Sequence, residues 1–125
     1  MKKLYYYLYF ICIPLAINSF VNAEYIFVSN ENSDTIAVLD LNTKELVKTI
    51  QTGGRPRDLK FNKDFSRLYA VVSEENHILE IDTKKIEIVR TINTGDDPEI
   101  FDIDIENKII AVSNEDDNEL TIIDL

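Results

Sequence analysis

Histidine and cysteine, which often act in catalysis and bind metals, are scarce in this chain. Its 125 residues include one histidine, His77, and one cysteine, Cys12. A Ser-His-Asp hydrolase would have to use His77, which we expect in an exposed hairpin turn, and the sequence contains no nucleophile-elbow motif. Zinc and iron sites need several His or Cys ligands, and haem attachment needs a Cys-x-x-Cys-His run; the sequence has neither. The sequence therefore predicts no catalytic residue, no metal site and no cofactor.

A run of acidic residues is the one candidate for cation binding. Residues 115–119 read Glu-Asp-Asp-Asn-Glu, and carboxylate oxygens are the ligands that Ca²⁺ prefers. The run lacks the alternating ligand spacing and the central glycine of a calcium loop. We interpret it as a solvated hairpin tip.

Charged residues beside a recurring Gly-x-x-Pro element are the best candidates for a binding surface. Arg55 and Arg57 flank the proline of the first copy, and Asp97 and Glu99 flank the proline of the second. An identical framework that carries opposite charges is expected of a site that differs from one repeat to the next. Neutral drift of a solvated surface is the alternative interpretation.

The elements that position these residues recur at a constant interval along the chain. The markers are the strand-ending Asp40, Asp82 and Asp124, the glycines Gly53 and Gly95, and the prolines Pro56 and Pro98. A period of about 40–45 residues built from short strands is typical of propeller blades with four strands each. We expect each aspartate to accept a backbone N–H at a hairpin turn. We expect Gly-x-x-Pro to form a tight crossover to the innermost or next strand, so all these markers maintain the repeat.

Strand-like patterns run through the whole repeat region, and no segment has a helical period. The expected strands are residues 25–28, 35–40, 45–50, 57–61, 68–72, 78–82, 86–92, 100–105, 109–112 and 120–124. The fold class predicted is all-β, a partial β-propeller of about two and a half blades with four antiparallel strands to a full blade. We place blade 1 at about residues 25–66, blade 2 at about 67–107 and a half blade at 108–125.

Residues 1–23 have the pattern of a secretory signal peptide. Lys2 and Lys3 precede an uncharged apolar stretch at residues 4–17, and residues 21–23 read Val-Asn-Ala before the expected cleavage site. The alternative, an uncleaved anchor, is disfavoured because this stretch is too short to cross about 30 Å of hydrocarbon. We therefore predict an exported protein, periplasmic or secreted, whose cysteine-free mature part folds by packing alone.

The charge of the mature part restricts its partners. All 23 acidic residues, but only 11 of the 13 basic ones, follow residue 23, which gives that part a net charge of −12. Nucleic acid and anionic membrane surfaces both require a cationic face, so we predict neither as a partner. The charge is compatible with a cationic partner, although an acidic solvated surface is the simpler explanation.

The repeated segments resemble the YVTN-type β-propeller repeat. The resemblance is carried by residues 25–30 (Tyr-Ile-Phe-Val-Ser-Asn), 38–40 (Val-Leu-Asp), 47–50 (Val-Lys-Thr-Ile) and the Gly-x-x-Pro element at 53–56, in the family's order. It covers residues 25–125. The family often has Pro-Asp-Gly in the turn between blades, where this chain has residues 62–66 and 106–108 without glycine, so these turns must differ.

A narrower resemblance concerns the second half of the chain. Residues 95–101 and 113–120, together with Arg-Pro-Arg at 55–57, resemble exported propellers associated with pyrroloquinoline-quinone-dependent alcohol catabolism. It implies a non-catalytic binding or scaffold module with a periplasmic partner such as a quinoprotein dehydrogenase. Related propellers hydrolyse lactones, so a fragment of a lactonase-like hydrolase is the alternative. That alternative requires metal-binding Asp, Glu, Asn or His side chains that converge on the channel.

The number of blades leaves three interpretations of the chain open. The resemblance implies about seven blades, within the usual range of propellers, and this sequence accounts for fewer than three. We expect a fragment of a longer reading frame, a short protein that completes its ring by oligomerisation, or a decayed gene product. An open set of blades would leave an apolar sheet face and a strand edge exposed to solvent.

Overall fold

The computed structural model describes residues 24–125 except Ile105 and Asn107, so the expected signal peptide at residues 1–23 lies outside the described residues. Among the described residues there are ten strands, and the only helices are two 3₁₀ turns, Glu31–Ser33 and Ser73–Glu75. The strands are β1 Tyr25–Asn30, β2 Thr35–Asp40, β3 Leu46–Gln51, β4 Pro56–Phe61, β5 Arg67–Val72, β6 His77–Asp82, β7 Glu87–Asn93, β8 Pro98–Ile103, β9 Ile109–Asn114 and β10 Glu119–Asp124. The described part holds no helix that is long and apolar enough to span a membrane.

The ten strands form three antiparallel sheets. The first sheet has the order β1-β2-β3, the central sheet β4-β5-β6-β7 and the last sheet β8-β9-β10. The predicted all-β fold, a partial propeller of about two and a half blades, is confirmed.

The expected division into blades needs a correction of one strand. The sequence prediction places β4 in blade 1 (residues 25–66), but β4 pairs with β5 in the central sheet, and β8 likewise pairs with β9 in the last sheet. The reason is the expected crossover: Gly53, at φ +86°, ends the ladder of β3 and sends the chain to the next sheet. The sheets therefore occupy residues 25–51, 56–93 and 98–124 rather than 25–66, 67–107 and 108–125.

Two apolar cores hold the three sheets together, one on each face of the central sheet. Side chains alternate along β5, because successive residues of a strand point to opposite faces. The core between the first and central sheets contains Ile36, Val38, Ile50, Leu68, Ala70, Val72, Leu79, Ile81 and Ile86. The core between the central and last sheets contains Tyr69, Val71, Ile78, Phe101, Ile110 and Val112. The packing expected of neighbouring blades is thus present twice.

The strand-ending aspartates cap the hairpins as the sequence predicts. Asp40 Oδ1 accepts the backbone N–H groups of Asn42 and Thr43 at 2.8 and 2.9 Å. Asp82 Oδ1 accepts those of Lys84 and Lys85, both at 3.0 Å. The same role of Asp124, the last residue of β10, stays a prediction.

Asp82 should contribute to the pH dependence of stability. The hydrogen bond from the Lys85 backbone N–H is the main cause that lowers the pKa of Asp82 below its ordinary value of 3.8. A carboxylate with a lowered pKa stabilises the fold above about pH 4, and this contribution is lost as the pH falls through the folded-state pKa. We expect Asp82→Asn to lose less stability than wild type when the pH falls from neutral to about 3, measured as the urea midpoint.

The control for this experiment is Asp116→Asn, at an exposed position in the β9–β10 turn. Because asparagine keeps a side-chain oxygen as acceptor, the Asp82→Asn variant removes the titration and retains the turn geometry. Parallel pH profiles for wild type and Asp82→Asn would contradict the assigned role.

His77 is placed differently from the sequence prediction. We expected it in an exposed hairpin turn, but it is the first residue of β6, paired with Val72, and it is half-buried. The turn is made instead by the 3₁₀ turn Ser73–Glu75 and by Asn76, whose φ of +55° reverses the chain. The Nε2 atom of His77 is buried without a hydrogen-bond partner among the described residues.

Candidate functional site

The first strands of the central and last sheets lie side by side at one edge of the stack. Each begins with a fully buried proline, Pro56 in β4 and Pro98 in β8. Proline lacks the backbone N–H that a strand paired on both sides would donate, and β4 and β8 are both edge strands of their sheets. The strand β4 also contacts β1 of the first sheet. Residues at the starts of β4 and β8 therefore meet where all three sheets are close.

Hairpin tips of one sheet hold the residue before each proline of the next sheet. Asp34 Oδ1 accepts the backbone N–H of Arg55 at 3.0 Å, and one repeat later Asn76 Oδ1 accepts that of Asp97 at 3.0 Å. Arg55 and Asp97 both have left-handed backbone angles, with φ of +58° and +48°. The repeat thus fixes the backbone of these two residues, while their side chains differ in charge.

One network of ion pairs crosses all three sheets at this edge. Glu31, in the 3₁₀ turn after β1, accepts from Arg55 Nη2 at 2.9 Å and from Arg57 Nε at 3.3 Å. Arg57 Nη1 also pairs with Glu99 of β8. The hydrogen bond from Arg55 is the main cause that lowers the pKa of Glu31, and the same bond raises the pKa of Arg55. We call Glu31, Arg57 and Glu99 the inter-sheet network.

Further contacts join β4 and β8 beside this network. Asp58 Oδ2 accepts the backbone N–H of Phe101 at 3.3 Å and lies 3.3 Å from Lys60 Nζ. The Lys60 ammonium is 5.8 Å from the centre of the Phe101 ring, within the range of a cation–π interaction. Asp58 and Lys60 of β4 therefore both contact Phe101 of β8.

The structure brings together the four residues that the sequence singles out. Arg57 and Glu99 pair directly, Arg55 is held by Glu31, and Asp97 shares a small cavity with Arg55. Opposite charges at equivalent repeat positions therefore have a structural explanation, because they neutralise one another across neighbouring sheets. Whether these residues bind a partner stays a prediction.

Glu31 is a site residue that the sequence prediction missed. It belongs to the segment Ser29-Asn30-Glu31, which recurs at residues 113–115, and the equivalent position in the central sheet is Ser73. Ser73 Oγ donates to the carbonyl oxygen of Pro98 at 2.6 Å, so the equivalent positions both reach across a sheet boundary. The sequence signal that could have identified Glu31 is its recurrence, with the same period as Gly-x-x-Pro, at Ser73 and Glu115.

Three carboxylates converge beside the network. One oxygen from each of Asp97, Glu99 and Glu115 lies within 4.8 Å of the others. Oxygen ligands of this kind suit hard cations such as Ca²⁺. Glu99 is paired with Arg57, whose positive charge opposes a cation at the same place. We therefore assign no ion to this cluster.

An open cavity of about 960 Å³ lies beside the inter-sheet network. It is lined by residues of all three sheets: Ser29, Glu31, Pro56, Arg57, Asp58, Lys60, Glu99, Ile100, Phe101, Asp102, Ala111, Ser113 and Leu120. Four carboxylates and two cationic side chains give it a mixed but acidic polar lining, and apolar side chains complete the wall. His77 is not among the residues that line this cavity.

The comparisons with known proteins agree with this architecture. A family model described as YNCE-like beta-propeller matches residues 15–125. The chain superimposes on Kuenenia stuttgartiensis hydrazine synthase with a TM-score of 0.73 at 20% identity, over 80% of this chain and 29% of that one. It superimposes on the dihydro-heme d1 dehydrogenase NirN, in complex with DHE, with a TM-score of 0.73 at 15% identity, over 80% of this chain and 22% of that one.

These structural likenesses show the fold alone, because both identities are low. The chain spans less than a third of the length of either structure. No curated protein sequence matches it.

Proposed function

Because the chain belongs to the YNCE-like beta-propeller family, we propose that it is a non-catalytic, exported binding or scaffold module. Its contact surface is the inter-sheet network together with the adjoining cavity. The observation that carries this proposal is the convergence of Glu31, Arg57 and Glu99, one from each sheet, at the rim of one large cavity. Convergent polar groups in a concave, partly apolar site are typical of binding sites.

The charge of the surface indicates the chemistry of the partner. Carboxylates outnumber cationic groups two to one among the lining residues of the cavity, and the chain as a whole carries a net charge of −10. Complementary charge steers association and selects partners. We therefore propose a protein partner that presents cationic side chains, with binding that weakens as the salt concentration rises.

The resemblance of residues 95–101 and 113–120 supports a more specific partner. It suggests a periplasmic protein such as a quinoprotein dehydrogenase, and export to the periplasm is part of the same proposal. The two structural neighbours named above are enzymes, but the shared fold does not transfer their activities to this chain.

A lactonase-like hydrolase is the second candidate. One observation favours it, the convergence of Asp97, Glu99 and Glu115, because such an enzyme needs metal-binding acids. The guanidinium of Arg57 at Glu99 opposes a cation there. We therefore place the binding module first.

Site-specific photo-crosslinking tests where a partner binds. A photoreactive side chain at Lys60, on β4 in the cavity, is expected to capture a protein in cells that express the chain. The matched control carries the same side chain at Val89, an exposed position on β7 at the opposite edge of the central sheet. Equal capture at both positions, or capture only at position 89, would place the contact surface elsewhere.

A further inference from the structure

A mainly apolar pocket of about 460 Å³ opens between the first and central sheets, at the strand ends away from the Gly-x-x-Pro crossovers. Tyr25, Phe27 and Leu41 line it from the first sheet and its β2–β3 turn, and Phe61 and Phe65 line it from β4 and the turn that follows. We call it the aromatic pocket. It shares no lining residue with the cavity beside the inter-sheet network, so the inference drawn from it does not depend on the proposed function.

Four aromatic rings follow one another across the junction of the two sheets. The ring centres of Tyr25 and Phe27 are 6.4 Å apart, those of Phe27 and Phe61 are 5.8 Å apart, and those of Phe61 and Phe65 are 5.6 Å apart. The first two pairs are nearly perpendicular, at 86° and 77°. Rings in such edge-to-face contact offer edges and faces that attract a further aromatic ring.

Phe65 is the member of this set that its surroundings do not explain. Its side chain is 68% exposed, and its backbone has a left-handed φ of +59°. That conformation is disfavoured for a bulky residue, and glycine adopts it without steric cost. The Thr83 hydroxyl donates to the carbonyl oxygen of Phe65 at 2.7 Å and holds the backbone in place. The ring is therefore presented to solvent in a fixed position.

The repeat shows that the aromatic set is not needed to pack one sheet on the next. At the junction of the central and last sheets, the positions equivalent to Tyr25 and Phe61 hold Arg67 and Ile103. The aromatic pocket is thus particular to one of the two junctions in a framework that both share.

Lysine side chains surround the aromatic pocket. Lys84 lines it and is exposed, Lys44 Nζ donates to the carbonyl oxygen of Leu41, and Lys63 is in the same turn as Phe65. Among the described residues, no ion pair includes any of these three lysines. Their positive charges are therefore free to meet an anion.

Most nearby carboxylates are directed into their own turns. Asp40, Asp64 and Asp82 each accept a backbone N–H within two residues, at 2.8 to 3.0 Å. Glu24, which is exposed, is the one acidic residue among the described residues that line the pocket. We propose that the aromatic pocket binds a small organic anion, whose aromatic ring packs against Phe61 and Phe65 and whose carboxylate pairs with the Lys84 ammonium.

Titration with naphthoate, followed by the amide chemical shifts of the protein, tests this proposal. The protein is purified from cells that express the complete reading frame. We expect saturable shifts at the amides of Phe65 and Thr83, with a dissociation constant of about 1 mM or tighter. Naphthamide, which has the same shape without the charge, should bind about threefold or more weakly, as expected for the loss of an exposed ion pair.

Two charge-neutral variants at the rim should change naphthoate binding in opposite directions. Lys84→Gln should weaken it about threefold or more, and Glu24→Gln should strengthen it, because each removes one charge at an exposed position of the lining. Lys108→Gln, at an exposed position outside the pocket, is the control and should leave binding unchanged.

Phe65→Gly tests the ring separately from the fold. Glycine accepts the left-handed backbone, so the variant should remain folded by circular dichroism while naphthoate binding weakens about tenfold or more. If this variant does not fold, the charge variants still decide the proposal. Three outcomes would overturn it: no saturable shifts at Phe65 and Thr83 at up to about 10 mM naphthoate, naphthamide that binds as well as naphthoate, or weaker naphthoate binding by Glu24→Gln.

Discussion

Truncation of Ile81 to alanine is expected to lower the free energy of unfolding by about 2–5 kcal/mol. Ile81 has no exposed surface and lies in the core between the first and central sheets. It is directly opposite Leu68, which is also fully buried. The loss combines the transfer free energy of the deleted methyl and methylene groups with the cost of the cavity that remains.

The neighbouring strand provides a matched control. Ile88 on β7 is paired with Ile81 but is 40% exposed. Ile88→Ala should cost less than about 1.5 kcal/mol, because much of its side chain already contacts water. Urea unfolding, with the midpoint and slope fitted for each variant, measures both values. Equal losses for the two variants would show that the core between these sheets is not formed as described.

The local elements of this fold could be predicted from the sequence because they depend on local signals. All ten expected strands are present, with small differences at their ends. Asp40 and Asp82 cap the turns as expected, because an aspartate before a hairpin finds its N–H partners two and three residues away. Gly53 and Pro56 mark the crossover, since each restricts the backbone by itself.

The grouping of strands into sheets could not be predicted from the repeat. The repeat period fixes the spacing of equivalent strands but does not say which neighbour each strand pairs with. For this reason the sequence prediction places β4 in the wrong sheet. The pairing of β4 with β5 depends on the turn at residues 62–66, and this turn lacks the glycine that is typical of the family.

The candidate site could be predicted only in part, for a related reason. Arg57 and Glu99 stood out because equivalent positions carry opposite charges. Their pairing, and the role of Glu31, depend on how neighbouring sheets pack, which sequence spacing does not encode. The position of His77 was predicted wrongly because the turn is complete at Asn76, after the 3₁₀ turn Ser73–Glu75, and His77 therefore begins β6 as Thr35 begins β2.

Reversal of the charge at Arg57 is expected to weaken partner binding by about thirtyfold or more, which corresponds to about 2 kcal/mol. Arg57 contacts both Glu31 and Glu99, whereas Arg55 contacts Glu31 but not Glu99. In Arg57→Glu three carboxylates would crowd together, so the surface offered to a partner would change in shape and charge. Arg57→Gln, which removes the charge without adding a new one, should have a smaller effect in the same direction.

The control is a charge reversal of the same kind at a distant arginine. Arg90 lies on β7 and pairs with Glu80, so Arg90→Glu also disrupts a surface ion pair. Urea midpoints of all variants show whether each chain is folded under the binding conditions. A variant that is unfolded there is replaced by its glutamine counterpart.

The central claim is that the inter-sheet network, with the cavity beside it, is the binding surface of this propeller segment. It is tested most directly by titration of the protein captured at position 60 against wild type, Arg57→Glu and Arg90→Glu at low salt. We predict a dissociation constant raised about thirtyfold or more in Arg57→Glu and unchanged within about twofold in Arg90→Glu. Equal affinities for wild type and a folded Arg57→Glu chain would contradict the claim.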